Sequence, residues 1–252
     1  NRDERRWGDS SAKGQNKNFG FGTTELLYSI GYPLIKHRVF GFPNAEARYV
    51  GDDPSAIPCL KVMGESHKRR RPYRPNSIIN ISAMSFGALS AQAIASLNGG
   101  AREGNFAHNT GEGSISDHHL QGGDLIWQIG TGYFGCRSKD GRFDPELYKE
   151  KSTNDQVKMI EIKLSQGAKP GHGGMLLGKK VTKRIAEIRG IEVGKDCISP
   201  SYHSEFSTPS GLLDFAEKLK FLSGGKPVGI KLCLGHPWEL AAIVKAMVEK
   251  KQ

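Results

Sequence analysis

The sequence predicts an α/β fold made of parallel β-strand–α-helix units, and the last third of the chain shows the pattern most clearly. Pro209 opens a stretch with apolar residues at helical spacing, and Gly224 and Gly225 end it. An apolar run at 228–234 follows as a strand, and Pro237 then opens a second amphipathic helix. Strands that alternate with helices at this spacing are typical of parallel sheets, so we expect βα units.

Two earlier segments continue the alternation. The first is a β-favouring apolar run at 77–82, a candidate buried strand. The second is a strand pattern at 159–164, with a short helix at 182–189 that Gly190 stops. Helical spacing between them is carried by four apolar residues: Ala93, Ile94, Leu97 and Ala101. About four βα units are present, whereas a closed barrel needs eight, so the chain is either a portion of a barrel or an open α/β sheet.

The stretch before this pattern has a different composition. Residues 1–76 are rich in Gly, Asn, Pro and charged residues, and they end in the basic run at 68–75. We therefore expect an irregular N-terminal extension over 1–76 and the main domain over 77–252. The chain has no run of about 18 apolar residues, and it opens with a polar, charged stretch. We expect a cytoplasmic protein, and the sequence leaves open an upstream segment that anchors it to a membrane.

The formal net charge is +10, and positive residues cluster at 67–71 and 179–184, among other places. Such an excess favours ligands that are phosphates, acidic metabolites, anionic lipids or nucleic acids, although a solvated face explains most charge runs. No aromatic residues are interleaved with the basic ones, and no helix-turn-helix, zinc-finger or RNA-recognition pattern is present. We expect no nucleic-acid partner, and the sequence leaves the oligomeric state open.

The four cysteines are far apart in the sequence, at Cys59, Cys136, Cys197 and Cys233. No Cys-x-x-Cys pair is present, so we expect neither a structural zinc site nor an iron–sulfur centre ligated within this chain. The same dispersion argues against a disulfide scaffold and fits a reducing compartment. The histidines also lack the helical His-x-x-x-His spacing with a carboxylate, so we expect no metal site.

Two glycine-rich segments match nucleotide-binding patterns only formally. Residues 130–135 read Gly-x-Gly-x-x-Gly, but turn-forming residues follow at 136–141 where a dinucleotide site needs a helix. Residues 173–180 approach a P-loop, but Lys180 replaces the Ser or Thr that would bind Mg²⁺. The sequence therefore argues against both a Rossmann site and a nucleotide triphosphatase.

Two other glycine-rich loops are candidates for a site. Residues 163–174 follow a predicted strand, and Lys169 within them supplies a cation for a carboxylate or a phosphate. Residues 109–113 place Glu112 between two glycines, where its carboxylate would accept or orient a proton. The residues alone leave the alternatives open, which are a solvated surface lysine and an exposed acid in a tight turn.

Several stretches, taken together and in this order over about residues 78 to 235, resemble the FMN-binding domain of the glutamate synthase family. They are 82–87, 109–113, 128–135, 162–174, 198–200 and, more weakly, 228–232. The sequence around Lys163 is most similar to that of the stand-alone glutamate synthase-like proteins, which lack the fused amidotransferase domain.

The resemblance implies a (β/α)8 TIM barrel of the FMN-linked type, with about the first four βα units in this chain. It implies hydride transfer from reduced FMN to an imino acid such as 2-iminoglutarate, formed from 2-oxoglutarate and ammonia or an amine. The implied partners are a small acidic substrate and an electron-donor protein or nicotinamide-linked reductase. An iron–sulfur cluster, if present, would be ligated outside this chain.

The resemblance also implies roles for individual residues. The residues implied for FMN binding are Met84, Ser85, Asn109, Gln128, Lys163 and Lys231. Glu112 and Lys169 are implied as catalytic, and Ser85, Glu112 and Lys169 would contact the substrate.

The chain also departs from the family pattern. Met175 stands where the family usually has a Gln that is expected to touch 2-oxoglutarate, and Ser114 replaces a usual Gly. The family's later glycine-rich segment, which is expected to carry the FMN phosphate site, does not occur within these residues. Two alternatives therefore stay open, namely another FMN barrel that oxidises a 2-hydroxy acid and a non-catalytic scaffold or binding subunit.

Overall fold

The computed structural model describes residues 62–65, 70–77, 79–165 and 172–251. The helices in this part of the chain are α1 (Ala91–Gly104), α2 (Pro145–Ser152), α3 (Lys183–Arg189), α4 (Pro209–Leu222) and α5 (Pro237–Lys250). The strands are β1 (His108–Asn109), β2 (Leu125–Ile129), β3 (Val157–Lys163), β4 (Met175–Leu176), β5 (Cys197–Ile198) and β6 (Val228–Lys231). A membrane-spanning helix is absent from the described part of the chain.

Four strands form a parallel sheet in the order β1-β2-β3-β6. Ile81 extends it by a parallel bridge to His108. Strands β4 and β5, with α3 between them in the chain, form a separate antiparallel pair inserted between β3 and α4. Apart from this insert, strands that are neighbours in the sheet follow one another in the sequence, as in a (β/α) barrel and unlike a doubly wound sheet. The architecture is an α/β fold consistent with a partial TIM barrel.

The helices begin and end where their capping residues predict. Ser90 accepts a hydrogen bond from the Ala93 N–H at the start of α1. Thr182 and Thr208 do the same for α3 and α4. Gly190, at φ +68°, ends α3 in the left-handed conformation that glycine adopts without a steric cost. The helices predicted at 182–189, from Pro209 and from Pro237 are thereby confirmed.

The core lies between the sheet and the helices α2, α4 and α5. Trp127 of β2 stacks on Tyr148 of α2 with ring centroids 5.3 Å apart. The Tyr148 hydroxyl donates to the Leu219 carbonyl of α4 at 3.0 Å. The buried core residues of the sheet are Leu125, Trp127, Ile129, Val157, Ile160 and Ile162. Because apolar side chains of the sheet and the helices interlock here, this layer supplies most of the stabilising burial.

The predicted strands differ in accuracy. Those at 159–164 and 228–234 are confirmed as β3 and β6, with shifted ends. The one predicted at 77–82 is wrong in extent, because among its described residues only Ile81 pairs and Ile79 is 62% exposed. The Asn80 side chain accepts the hydrogen bond of the Ala107 N–H at 2.8 Å, and such side-chain bonds compete with a strand ladder.

The predicted N-terminal extension lies mostly outside the described residues, and its boundary at 76 stays a prediction. Within the described part, Met63 bridges Tyr73, and the Arg71 N–H donates to the Gly225 carbonyl at 3.3 Å. Residues 70–73 therefore contact the turn between α4 and β6.

Candidate functional site at the carboxyl edge of the sheet

Side chains alternate between two faces along each strand of the parallel sheet. One face includes Trp127 and packs against the helices, and we call it the helix-covered face. The opposite face carries Gln128 and Glu161, which lie side by side in the register of β2 and β3. Lys163 and Lys231 pair in the same way between β3 and β6. All four polar residues lie near the edge where these parallel strands end, which we call the carboxyl edge.

Glu161 joins two predicted flavin-binding residues. Its Oε1 accepts hydrogen bonds from Asn109 Nδ2 at 2.9 Å and from Gln128 Nε2 at 2.6 Å. Gln128 is only 1% exposed, and its Oε1 is buried with no hydrogen-bond partner among the described residues. Because Nε2 must donate to the carboxylate, the amide orientation is fixed and Oε1 is left as an acceptor. A buried unpaired acceptor costs about 1–3 kcal/mol, so this oxygen is an acceptor that a hydrogen-bond donor would stabilise.

Glu112 lies on the loop after β1 and forms an ion pair with Lys163. The Lys163 Nζ and Glu112 Oε2 atoms are 3.1 Å apart, and the two side chains are 13% and 17% exposed. Two glycines flank the carboxylate on other loops. A Cβ atom on Gly130 would lie 2.8 Å from Glu112 Oε2, and one on Gly174 would collide with Oε1. The absence of side chains at both positions is therefore what leaves room for the Glu112 carboxylate.

Ser85 packs against the same loop. Gly111 has φ +65°, and a Cβ atom there would lie 2.9 Å from the Ser85 nitrogen. The Met84 N–H donates to the Asn109 carbonyl at 3.0 Å. His119 Nε2 donates to the Met84 carbonyl at 3.0 Å, and burial lowers the pKa of His119. The segment Met84–Ser85 is thus fixed beside the loop that carries Glu112.

The geometry brings together most residues that the sequence predicted. Asn109 and Gln128 meet at Glu161, Glu112 pairs with Lys163, and Ser85 packs beside the Glu112 loop. Lys169 falls outside the described residues. The ligand roles assigned to these residues stay predictions.

Sequence reasoning missed Glu161, although a signal existed. The strand pattern at 159–164 has period two, and this period places Glu161 on the same face as Lys163. A carboxylate on that face, between a strand that carries Gln128 and one that ends in Lys231, could have been added to the candidate site.

Sequence reasoning also missed Arg189. This residue is 5% exposed, its Nη2 donates to the Phe86 carbonyl at 3.1 Å, and its Nε has no partner in the described part of the chain. A Cβ atom on Gly113 would lie 2.8 Å from Arg189 Nη2, so the guanidinium adjoins the Glu112 loop. The sequence carried no signal for it, because an arginine at the end of a helix usually faces solvent.

Several cavities lie elsewhere in the described structure, and two of them are relevant to the site's location. One of about 660 Å³ is lined by residues of α3 and β5, including Cys197. Another of about 470 Å³ lies between α4 and α5 and is lined by Phe206 and Trp238, among others. Neither is lined by Glu112, Glu161 or Lys163. The carboxyl edge is therefore a candidate site because of its charges and hydrogen bonds rather than its concavity.

The comparison with known proteins decides the family. A family model described as the conserved region in glutamate synthase matches residues 46–251. The chain belongs to the glutamate synthase family. The resemblance inferred from the sequence is thereby confirmed, and glutamate synthase homology covers both the parallel sheet and the carboxyl edge.

Individual relatives agree with this assignment. The glutamate synthase large subunit-like protein YerD of Bacillus subtilis is 46% identical over 190 residues, which are 75% of this chain and 36% of that protein. The archaeal glutamate synthase [NADPH] of Archaeoglobus fulgidus is 37% identical over 172 residues, which are 68% of this chain and 31% of that protein. The archaeal-type glutamate synthase [NADPH] of Thermotoga maritima is 36% identical over 160 residues, 63% of this chain and 29% of that protein. The chain thus spans about a third of the length of these relatives.

Proposed function

We propose that this chain forms part of an FMN-dependent oxidoreductase that transfers hydride from reduced FMN to an imino acid such as 2-iminoglutarate. Glutamate would then form from 2-oxoglutarate and ammonia or an amine. Membership of the glutamate synthase family supports this proposal. The observation that carries it is the carboxyl edge, which holds the buried unpaired amide oxygen of Gln128, the Glu112–Lys163 ion pair and the Lys231 position.

The residues present fit a flavin. An oxidised isoalloxazine ring offers an N–H donor between its carbonyl groups, and the Gln128 Oε1 atom is a buried acceptor without a partner among the described residues. Lys231 would place a cation beside a ring system that becomes negatively charged on reduction. Asn109 and Gln128 are already held by Glu161, so their amides need little reordering on binding. When bound, reduced FMN would supply the hydride.

The protein's own part in the reaction would centre on Glu112. Its carboxylate is held by Lys163 at 3.1 Å and confined by Gly130 and Gly174. A carboxylate fixed in this way would orient a proton at the nitrogen of the substrate. Fixing the carboxylate before the substrate arrives avoids the reorganisation that a mobile side chain would need.

An acidic substrate would need cations near Glu112. Lys169 stays the predicted partner of a substrate carboxylate, and Arg189 supplies a second, buried guanidinium beside Gly113. Met175 is 57% exposed and offers only a thioether where the family usually has a Gln. We therefore propose a dicarboxylate or similar acid as the substrate class, with 2-oxoglutarate as the first compound to test. The relatives named as NADPH enzymes make a nicotinamide-linked reductase or an electron-donor protein the proposed partner.

The first experiment is the visible absorption spectrum of the complete protein. Flavin bands near ~450 nm, with hydride transfer to 2-oxoglutarate in the presence of ammonia, are the expected result. Gln128→Ala should lower flavin retention severalfold. Gln156→Ala is the matched control, because Gln156 Nε2 donates to the Gly123 carbonyl near the opposite end of the sheet. No flavin in the complete protein, even after FMN is added, would favour the scaffold alternative instead.

The proposed role of Lys169 has a separate test. In the complete protein, Lys169→Ala should raise KM for the acidic substrate much more than it weakens flavin binding. An equal loss of both would contradict a contact between Lys169 and a substrate carboxylate.

A further inference from the structure

His203 lies between β5 and α4, is 4% exposed, and uses both ring nitrogens. Its Nε2 lies 2.9 Å from the Lys163 carbonyl oxygen, and its Nδ1 lies 3.0 Å from the Tyr133 hydroxyl. A carbonyl oxygen can only accept a hydrogen bond, so Nε2 carries a proton and donates a hydrogen bond to the Lys163 carbonyl. The ring therefore connects the end of β3 to the loop that carries Tyr133.

The direction of the second bond follows from the ring's charge. Burial lowers the pKa of His203, so the ring is neutral near pH 7 and Nδ1 is an acceptor. The Tyr133 hydroxyl then donates to Nδ1, and its oxygen accepts the Glu205 N–H at 3.4 Å. A continuous chain of hydrogen bonds runs from Glu205 through Tyr133 and His203 to the Lys163 backbone.

Tyr133 shows that this arrangement is enforced. It is 1% exposed, and its φ is +48°, a left-handed conformation that is strained for an aromatic residue. Such a conformation persists only where the surroundings fix it, and here the ring packs edge-on against Phe143 and Phe215. The same loop carries Gly130, which confines the Glu112 carboxylate. The strained residue thus belongs to the loop that forms one side of the candidate site.

We propose that His203, oriented by Tyr133, is a positioning residue that fixes the end of β3 so that Lys163 holds the Glu112 carboxylate in place. Lys163 is the last residue of β3, and its side chain reaches Glu112 at 3.1 Å within a space that Gly130 and Gly174 already confine. A small shift of the strand end would therefore separate the pair. The catalytic consequence rests on the proposed function, whereas the positioning of Lys163 does not.

The test uses the complete protein and four variants. His203→Ala removes both bonds, His203→Gln keeps an amide donor for the Lys163 carbonyl, and Tyr133→Phe removes only the orienting hydroxyl. Tyr148→Phe is the matched control, because it also removes one buried phenol hydroxyl bond, in the core between α2 and α4.

The first measurement is trace labelling of lysines with acetic anhydride, followed by peptide mass spectrometry. Lys226 serves as the internal reference, because it is 3% exposed and its Nζ donates to the Asn154 carbonyl at 2.8 Å, away from the carboxyl edge. The Lys163 side chain is only 13% exposed and its amine lies against Glu112, so separating the two opens the amine to the reagent. In His203→Ala the labelling rate of Lys163 relative to Lys226 should rise about fivefold or more. In His203→Gln it should stay near the wild-type value, and in Tyr148→Phe it should not change.

Two labelling results would overturn the proposal. One is an unchanged Lys163 rate in His203→Ala, and the other is an equal rise in His203→Gln and His203→Ala, which would show that the bond to the Lys163 carbonyl is not the cause.

The second measurement is steady-state kinetics. His203→Ala should lower kcat/KM about tenfold to a hundredfold, because small misplacements of catalytic groups have effects of this size. Tyr148→Phe should leave it within about twofold of wild type. If the wild-type protein shows no hydride transfer while the labelling responds as expected, the proposed function fails and the positioning role stands. If His203→Ala keeps full activity in an active protein, the positioning role is overturned.

Discussion

The two faces of the parallel sheet are built from the same strands and differ in almost every physical respect. On the helix-covered face, Trp127, Ile160 and Ile162 are fully buried among apolar side chains of α2, α4 and α5. On the opposite face, Gln128 and Glu161 are hydrogen-bonded to each other, and charged side chains lie at the carboxyl edge of that face. The helix-covered face supplies stability through burial, whereas the carboxyl edge holds buried polar groups of which one, Gln128 Oε1, is unpaired at a cost in stability.

The difference teaches where function can be placed in such a sheet. Neighbouring residues of one strand, such as Ile160 and Glu161, have different roles because their side chains point to opposite faces. Ile160 packs in the core, whereas Glu161 accepts hydrogen bonds. Substitutions one residue apart should therefore have effects of different kind as well as different size.

The largest expected effect lies on the helix-covered face. Ile160→Ala removes a fully buried side chain from the core, and we expect it to lower the free energy of unfolding by about 2–4 kcal/mol. Met159→Ala, one residue earlier on the opposite face and only partly buried, should cost about 1 kcal/mol or less. Urea unfolding of both variants measures the contrast, and equal losses would contradict the assignment of the two faces.

A second prediction concerns Glu161 on the polar face. Glu161→Ala leaves the amides of Asn109 and Gln128 without their acceptor, and we expect a loss of about 2 kcal/mol in the free energy of unfolding. Glu161→Gln keeps an acceptor oxygen and should lose about 1 kcal/mol or less, because a charge-assisted bond becomes a neutral one. Thermal unfolding of the two variants tests this order. Equal losses in the two variants would show that the charge of Glu161, rather than its oxygen, is needed.

The sequence predicted the helices better than it predicted the first strand. The alternation of strands and helices is legible because caps and glycines, such as Thr182 and Gly190, punctuate amphipathic stretches. The strand predicted at 77–82 was wrong in extent. The composition favours a strand there, but the Ala107 N–H donates to the Asn80 side chain instead of to a backbone carbonyl. Local composition does not reveal which side chain will compete for a backbone partner.

The candidate site was predictable only as far as family motifs and strand ends reach. Glu112, Gln128 and Lys163 fall on such motifs, and the fold gathers them because parallel strands end at one edge. Arg189 and His203 belong to the insert between β3 and α4, and nothing in their local sequence marks them as buried. Their importance depends on contacts with residues far away along the chain, such as Phe86 and Tyr133, which a single sequence does not specify.

A third prediction concerns His108, a titratable residue at one edge of the otherwise apolar helix-covered face. His108 of β1 is fully buried beside Asn98 of α1, and burial together with the nearby His119 lowers the pKa of His108 to about 4. Below its ordinary pKa of about 6.5, the unfolded chain binds a proton that the folded chain does not. Stability should therefore be complete above about pH 6.5 and fall as the pH drops towards 4, by on the order of 2 kcal/mol.

Urea unfolding between pH 7.5 and pH 4 measures this fall. His108→Gln should flatten the curve over that window, because it removes the group whose pKa is most clearly lowered. An unchanged slope would assign the acid sensitivity to other groups, such as the two further buried histidines whose pKa values are also lowered, His119 and His203.

The smallest expected effect on stability concerns Gly229 of β6, which lies beside Glu161 on the polar face. A Cβ atom there would meet only the Met159 Cε atom, at 2.5 Å, and that end of a flexible side chain can move. Gly229→Ala should therefore change the free energy of unfolding by no more than about 0.5 kcal/mol, because the reduced freedom of the unfolded chain offsets the displaced methyl group. Gly99→Ala in α1, where a Cβ atom meets nothing within 4 Å, is the control and should raise stability by up to about 1 kcal/mol.

If a flat cofactor lies across this face, Gly229→Ala should weaken flavin retention severalfold while Gly99→Ala leaves it unchanged. Equal flavin retention in both variants would show that the flavin does not contact β6, because the added methyl group on that strand would then meet no ligand.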